Sequence, residues 1–115
     1  MALQADLMII EKTFWTGGPE AYLDHCDTDC LVVFTDTAGV MKREEVARSA
    51  EAGRWREVAM TPKGFESLSP TSAVVCYDCT AKGRDGASYH AVISSAYIKR
   101  ADGWKLAFHQ QTPLN

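Results

Sequence analysis

The fold is indicated most clearly by the segment Ser95-Ala-Tyr-Ile-Lys-Arg-Ala-Asp-Gly-Trp-Lys-Leu-Ala-Phe-His-Gln-Gln-Thr-Pro113. Two runs that contain aromatic and β-branched residues flank an Asp-Gly pair, which is the strongest short-range signal for a β-hairpin. A second Asp-Gly pair ends the segment Gly83-Arg-Asp-Gly86, and no helical periodicity follows Trp55. The chain after Trp55 is therefore predicted to form an antiparallel meander of four long strands.

The first half of the chain predicts three helices and a small hairpin. Apolar residues at three- and four-residue intervals indicate a first helix that ends at Gly17, and Pro19 opens a short second helix that includes Cys26 and is broken by Asp27. Strand patterns at residues 31–34 and 40–41 flank a turn, and helix formers from Arg43 to Ala52 predict a third helix. The order α-α-β-β-α-β-β-β-β indicates an α+β domain with helices packed on one face of a curved, mainly antiparallel sheet. The stripe of the first helix consists of Leu3, Leu7, Ile10 and Phe14.

Length and charge limit the classes of function. The 115 residues are enough for one domain, which we take as residues 1–115, and the net charge is -3. An acidic chain lacks the cationic surplus that nucleic acid or an anionic membrane recruits. No apolar run approaches the roughly 20 residues that span a bilayer, and the N-terminal segment has no basic leader. We therefore expect a cytoplasmic protein with neither nucleic acid nor a membrane as partner.

The four cysteines, Cys26, Cys30, Cys76 and Cys79, have spacings that superficially suggest zinc. Cys76 and Cys79 lie in a predicted strand, where residues three apart point to opposite faces, so one metal ion could not easily bind both. We expect reduced structural thiols and no metal. The sequence also has no glycine-rich phosphate loop, no His-x-x-x-His spacing and no nucleophile elbow. We therefore expect no cofactor.

Four segments together resemble the cone-shaped superfamily of nuclear transport factor 2, ketosteroid isomerase and SnoaL-like cyclases. They are Tyr22–Asp29, Val32–Gly39, Lys42–Val46 and Ser95–Pro113. The chain is similar in particular to small members of the DUF4440 type. The resemblance implies a cone-like fold with a cavity between helices and sheet, and it implies subunit pairing. One such fold hosts many chemistries, so function has to be argued from the site.

Strand register predicts which side chains share a face of the sheet. Three-residue loops at Arg84–Gly86 and Ala101–Gly103 place His90 and His109 on opposite faces. Both faces are too apolar for bulk water, so we expect helices on one face and a second subunit of a homodimer on the other. Which face points inward stays open. The face of His90 is expected to include Cys76, Asp78, Trp104, Leu106 and Phe108, and the other face to include Tyr77, Ser95, Tyr97, His109 and Gln111.

Asp36 and His109 are the candidate catalytic residues. Asp36 lies in the turn after the first strand, where the resembled ketosteroid isomerases keep the aspartate that moves a proton beside a carbonyl. A carboxylate in an apolar cavity has a raised pKa, which suits proton abstraction near neutral pH. The oxyanion-binding partners of those isomerases are missing here. The alternatives are a turn aspartate that bonds its own backbone and a hydrogen-bonded sheet histidine.

Three functions remain open at this stage. The leading one is a small-molecule-binding or assembly domain with a mostly apolar pocket for a small apolar or aromatic ligand. The alternative is a cofactor-free isomerase, dehydratase or cyclase that uses Asp36 or His109 for proton transfer. A third is an association module in which the face of Ser95 and His109 serves only subunit contact. The candidate pocket residues are Trp15, Tyr22, Phe34, Trp55, Tyr77 and His90.

Overall fold

The computed structural model describes residues 2–34 and 39–114. The order of helices and strands is the one predicted, and it gives an α+β fold. The elements are α1 (Ala2–Thr16), α2 (Pro19–His25), β1 (Cys26–Phe34), β2 (Gly39–Lys42), α3 (Arg43–Ser49), β3 (Trp55–Ser69), β4 (Ser72–Gly83), β5 (Ser88–Arg100) and β6 (Gly103–Pro113).

The described strands form one six-stranded sheet in the order β2-β1-β6-β5-β4-β3. The predicted antiparallel meander is confirmed for β3 to β6, and β1 joins it by parallel pairing with β6. The helices cover one face, with α1 against β3 and β4, and α3 against β1. The sheet is therefore mixed, and its helix-covered face holds the core.

Both α2 and α3 are shorter than expected. Helix α2 ends at His25, and Cys26 already belongs to β1, because its backbone pairs with Leu106 of β6. Helix α3 ends at Ser49, three residues before the predicted end at Ala52. In both places the chain leaves the helix for extended backbone, at φ -91° and ψ 140° for Cys26 and φ -79° and ψ 141° for Ala50.

The register of β4 against β5 is the predicted one, with Cys76 opposite Ser94. The register of β5 against β6 differs from the prediction at the four pairs nearest the turn. Arg100 pairs with Gly103 across a two-residue turn, and Ala107 is an extra residue between the partners of Tyr97 and Ala96. This β-bulge restores the expected pairing of Ser95 with His109. The placement of Trp104 and Leu106 on the face of His90 was therefore wrong, since both share the face of Tyr97.

The sheet face with odd-numbered β4 and β5 residues points to the helices. Ser95, Tyr97 and His109 are all buried there. The hypothesis that this face serves only subunit contact is therefore wrong, because α1 packs on it.

The other sheet face carries exposed apolar side chains. Leu31 and Phe108 pair across β1 and β6, with 41% and 38% of their surface exposed. Their half-buried neighbours include Val33, Val74, Val92 and Ala96. The four cysteines are free thiols. Among the described residues, no helix is long and apolar enough to cross a membrane.

Candidate functional site

A cavity of about 140 Å³ lies between the helices and the sheet. Four of the predicted pocket residues, Trp15, Tyr22, Phe34 and Trp55, line it. The rings contact one another, because the Trp15 and Trp55 centroids are 5.7 Å apart and those of Phe14 and Tyr22 are 4.8 Å apart. The remaining lining residues are Phe14, Gly17, Val46, Ser49, Ala50, Glu51, Arg54, Tyr89 and Gln111.

The mouth of this cavity is charged. The Arg54 guanidinium lies 5.5 Å from the centroid of the Trp55 ring, a distance at which cation and ring attract each other. Glu51 accepts a hydrogen bond from Arg84 at 2.5 Å. A shallower depression of about 600 Å³ adjoins the cavity here, and both are lined by Glu51, Arg54, Trp55 and Tyr89. A ligand would therefore pass charged groups before it reaches the rings.

We call the side of the cavity that the Gln111 amide lines its floor. Gln111 accepts a hydrogen bond from the Tyr89 hydroxyl at 2.8 Å through its Oε1. Its Nε2 lies 3.1 Å from Nε2 of His109. His109 is 2% exposed and does not line the cavity, so Gln111 separates the candidate catalytic histidine from the space that a ligand could fill.

Beneath the floor lies a fully buried carboxylate, Glu11 of α1. Its Oε1 accepts a hydrogen bond from the Tyr77 hydroxyl at 2.6 Å, and its Oε2 accepts one from the Tyr97 hydroxyl. The Nδ1 atom of His109 lies 3.5 Å from Oε1 and 2.8 Å from Oγ of Ser95. A buried carboxylate is costly unless it is paired and hydrogen-bonded, and these donors satisfy it.

The electrostatics of this cluster keep Glu11 ionised. Burial raises the pKa of Glu11, but the hydrogen bond and the electrostatic attraction of His109, together with the hydrogen bonds from Tyr77 and Tyr97, outweigh burial. The net pKa of Glu11 lies below its ordinary value. Burial, followed by the Glu11 charge, raises the pKa of Tyr77 and of Tyr97. Both hydroxyls therefore stay protonated and act as donors to the carboxylate.

Two other predicted pocket residues, Tyr77 and His90, do not line the cavity. Tyr77 is fully buried beneath it, where its hydroxyl accepts a hydrogen bond from the Trp15 indole at 3.0 Å. His90 was expected in the pocket, but it lies on the opposite face of the sheet and forms a 2.7 Å contact with Asp78. The confirmed β4–β5 register, in which His90 pairs with Thr80, places it there. Asp36 lies outside the described residues.

The buried Glu11 and the floor residue Gln111 were missed by the sequence analysis. Glu11 lies four residues after Leu7 and three before Phe14, on the same helical stripe. A single carboxylate on an apolar stripe is the signal that could have identified it. Among residues 2–34 and 39–114, no group of three or more His, Cys, Asp or Glu side chains could hold a metal ion.

Comparison with known proteins gives the fold. No protein-family model and no curated protein matches the sequence. An NTF2-like protein of unknown function from Prochlorococcus marinus superposes with a TM-score of 0.83, at 17% identity, over 100% of this chain and 95% of that one. A putative ketosteroid isomerase from Parabacteroides distasonis gives a TM-score of 0.79 at 13% identity, over 95% and 86%. The association domain of CaMKII from C. elegans gives 0.72 at 14% identity, over 96% and 92%.

These likenesses confirm the NTF2-like cone fold that the resemblance implied. At identities of 17% or less they carry no activity over to this chain. Assignment to the DUF4440 type or to the SnoaL-like cyclases stays a prediction.

Proposed function

We propose that this chain binds a small aromatic molecule in the cavity between its helices and its sheet. The observation that carries the proposal is the lining: six aromatic rings, those of Phe14, Trp15, Tyr22, Phe34, Trp55 and Tyr89, surround about 140 Å³. An apolar cavity of about 150 Å³ is known to hold one benzene ring. The ligand is therefore sized as one aromatic ring with a short substituent, not as a fused-ring molecule.

The lining favours binding over a role in packing alone. Ring-to-ring contacts hold the walls in place without filling the space, as in the Trp55–Tyr89 pair at 5.1 Å. The charged mouth at Glu51 and Arg54 gives the cavity an approach from solvent. An enclosed ring would bury its apolar surface, which stabilises binding by about 25 cal/mol per Å² before ordering costs are subtracted.

Fluorobenzene tests this proposal directly. We expect its fluorine NMR signal to shift and saturate on titration with the protein. Ala50 lines the cavity, so Ala50→Phe fills the space and abolishes saturable binding. Ala101, an exposed residue of the β5–β6 turn, provides the matched control, and Ala101→Phe should bind fluorobenzene as the unchanged protein does. Equal binding to both variants, or no saturable binding at all, contradicts the proposal.

We also propose that two copies of this chain pair through the open sheet face. The support is the apolar strip that Leu31, Phe108 and their half-buried neighbours form on the face away from the helices. The partner is a second copy because the strip lies on the face that the resembled superfamily uses for pairing. Pairing through this face leaves the cavity open, since the cavity lies on the opposite side of the sheet.

A second candidate function is proton transfer by His109 or Asp36 in a cofactor-free isomerase, dehydratase or cyclase. The observation in its favour is the hydrogen-bonded chain from Glu11 through His109 to Gln111, which ends at the cavity. An enzyme of this kind would remove a proton from the carbon next to a carbonyl and return one from solvent. We would incubate acetophenone with the protein in heavy water and follow deuterium entry into its methyl group.

Catalysed exchange that is lost in Asp36→Asn or in His109→Gln would establish this second function. Exchange no faster than in buffer, together with saturable fluorobenzene binding, would leave the binding function alone. The Asp36→Asn variant is the cleaner of the two, because His109 is also a buried structural partner of Glu11.

A further inference from the structure

Under the cavity floor, Glu11 is the acceptor and the side chains around it are the donors. Glu11 is ionised, so it can only accept, and both tyrosine hydroxyls donate to it. The Nδ1 atom of His109 lies 2.8 Å from Oγ of Ser95 and 3.5 Å from the same carboxylate. An Nδ1 lone pair facing a carboxylate would be repelled, so this nitrogen carries a proton. The other ring nitrogen, Nε2, faces the amide nitrogen of Gln111, which is a donor, so Nε2 is the acceptor.

This tautomer fixes the amide of Gln111. An Nε2 acceptor on His109 requires a donor opposite, and the Gln111 Nε2 at 3.1 Å supplies one N–H. The Gln111 Oε1 correspondingly accepts from the Tyr89 hydroxyl at 2.8 Å. The two contacts agree on one orientation of the amide, and the reverse orientation would oppose the His109 lone pair with an oxygen lone pair.

We propose that the second N–H of the Gln111 amide donates a hydrogen bond to a neutral oxygen acceptor on the bound molecule. Gln111 lines the cavity, and within the described chain His109 is the partner that the structure gives its Nε2. An amide nitrogen has two donors, so one remains for the ligand. The ligand class is thus single-ring aromatic ketones, aldehydes, esters and ethers. This inference rests on the proposed binding function.

The acceptor is neutral because of the charge beneath the floor. Glu11 is fully buried and ionised, and it lies one imidazole ring away from the Gln111 amide. A carboxylate ligand at the floor would place a second negative charge near Glu11, in the protein interior, where the repulsion between charges is screened poorly. The cation of Arg54 lies at the mouth, so an anionic group would be drawn outward and away from Gln111.

Three probes of equal ring size test the proposal: acetophenone, ethylbenzene and benzoate. Their affinities are measured by calorimetry or ligand NMR for the protein, for Gln111→Met and for Gln110→Met. Gln110 provides the matched control because its Nε2 bonds Thr112 on the other face of the same strand. We expect Gln111→Met to weaken acetophenone binding by about two- to tenfold, the range of one neutral hydrogen bond.

Ethylbenzene affinity should not fall in Gln111→Met, since it makes no such bond, and Gln110→Met should change neither ligand. Nitrogen–proton NMR of the unchanged protein gives a readout that does not depend on a variant folding. The side-chain amide signal of Gln111 should shift more with acetophenone than with ethylbenzene.

Each other result overturns the inference in a distinguishable way. If acetophenone and ethylbenzene both bind but respond equally to Gln111→Met, the binding function stands and the role of Gln111 is wrong. Benzoate binding that depends on Arg54 and is tighter than acetophenone binding would place recognition at the mouth. If none of the three probes binds, the proposed function fails together with this inference.

Discussion

Replacing Glu11 with Gln removes the charge under the cavity while keeping the shape of the side chain. Glu11 is fully buried and accepts from Tyr77, Tyr97 and the protonated Nδ1 of His109. In the position of Oε1, the Gln oxygen can still accept from Tyr77 and His109, but the NH₂ group then faces the Tyr97 hydroxyl, which donated to Oε2. The variant therefore loses the Tyr97 hydrogen bond and the charge that strengthens the other two.

The expected cost follows from those bonds. Hydrogen bonds to charged groups contribute about 1.5 to 3 kcal/mol each, and the relief of carboxylate desolvation offsets part of the loss. We expect Glu11→Gln to lower the free energy of unfolding by about 3 kcal/mol at pH 7. For a chain of this size that corresponds to a fall in Tm of roughly 12 °C. Urea unfolding followed by circular dichroism measures the first quantity, and a thermal scan measures the second.

The pH dependence separates this mechanism from simple damage to the core. Because the folded-state pKa of Glu11 is lowered, its stabilisation is present above the unfolded pKa near 4.3 and is lost as pH falls through the folded value. The gap between the protein and Glu11→Gln should therefore shrink below about pH 4. The control Glu66→Gln removes an exposed carboxylate and should change little at any pH. A gap below about 1 kcal/mol at pH 7, or one that is constant with pH, refutes the reasoning.

Three further predictions concern the surface and the thiols. Phe108→Glu should convert the proposed dimer to a monomer in sedimentation velocity. The control Leu68→Glu, at a residue 65% exposed, should leave the dimer intact, and a monomeric unchanged protein would contradict the pairing. Asp27→Asn should lower the urea midpoint more at pH 7 than at pH 3, because the hydrogen bonds from Arg100 lower the pKa of Asp27. An equal change at both pH values would count against this prediction. Burial raises the pKa of the Cys79 thiol to about 12, so iodoacetamide at pH 8 should label it only after unfolding, as mass spectrometry would show; fast labelling of the folded protein would disprove this.

Much of the fold follows from local signals. The Asp-Gly pairs at residues 85–86 and 102–103 mark both long hairpins, and the meander follows from them. Both registers were predicted on the assumption of three-residue loops, although two-residue loops also fit the two Asp-Gly turns. The assumption is right for β4–β5 and wrong for β5–β6, where a two-residue turn is followed by a bulge at Ala107. No local pattern in the sequence marks that bulge.

The site was predicted in part, for a comparable reason. Aromatic residues such as Trp15 and Trp55 were identified because apolar side chains usually line small-molecule sites and the resembled fold leaves a cavity between helices and sheet; both residues line the cavity. Glu11 was not, because a search for apolar periodicity passes over a charged residue even where the helix buries it. Gln111 acquires its place only through His109, which lies two residues away on the same strand face. These side-chain contacts exist only once the sheet has formed, so the sequence alone does not reveal them.

The extra residue Ala107 divides β6 into two segments, and each segment pairs with β5 in its own register. Between the turn and Ala107, an insertion or deletion can be accommodated because the hydrogen bonding between β5 and β6 is already interrupted at the bulge. Beyond the bulge, at residues 108–112, the insertion or deletion of one residue would move every side chain to the other face of the sheet, including those of His109 and Gln111. Length variation in natural or engineered versions of this strand should therefore be tolerated before residue 108 and excluded after it.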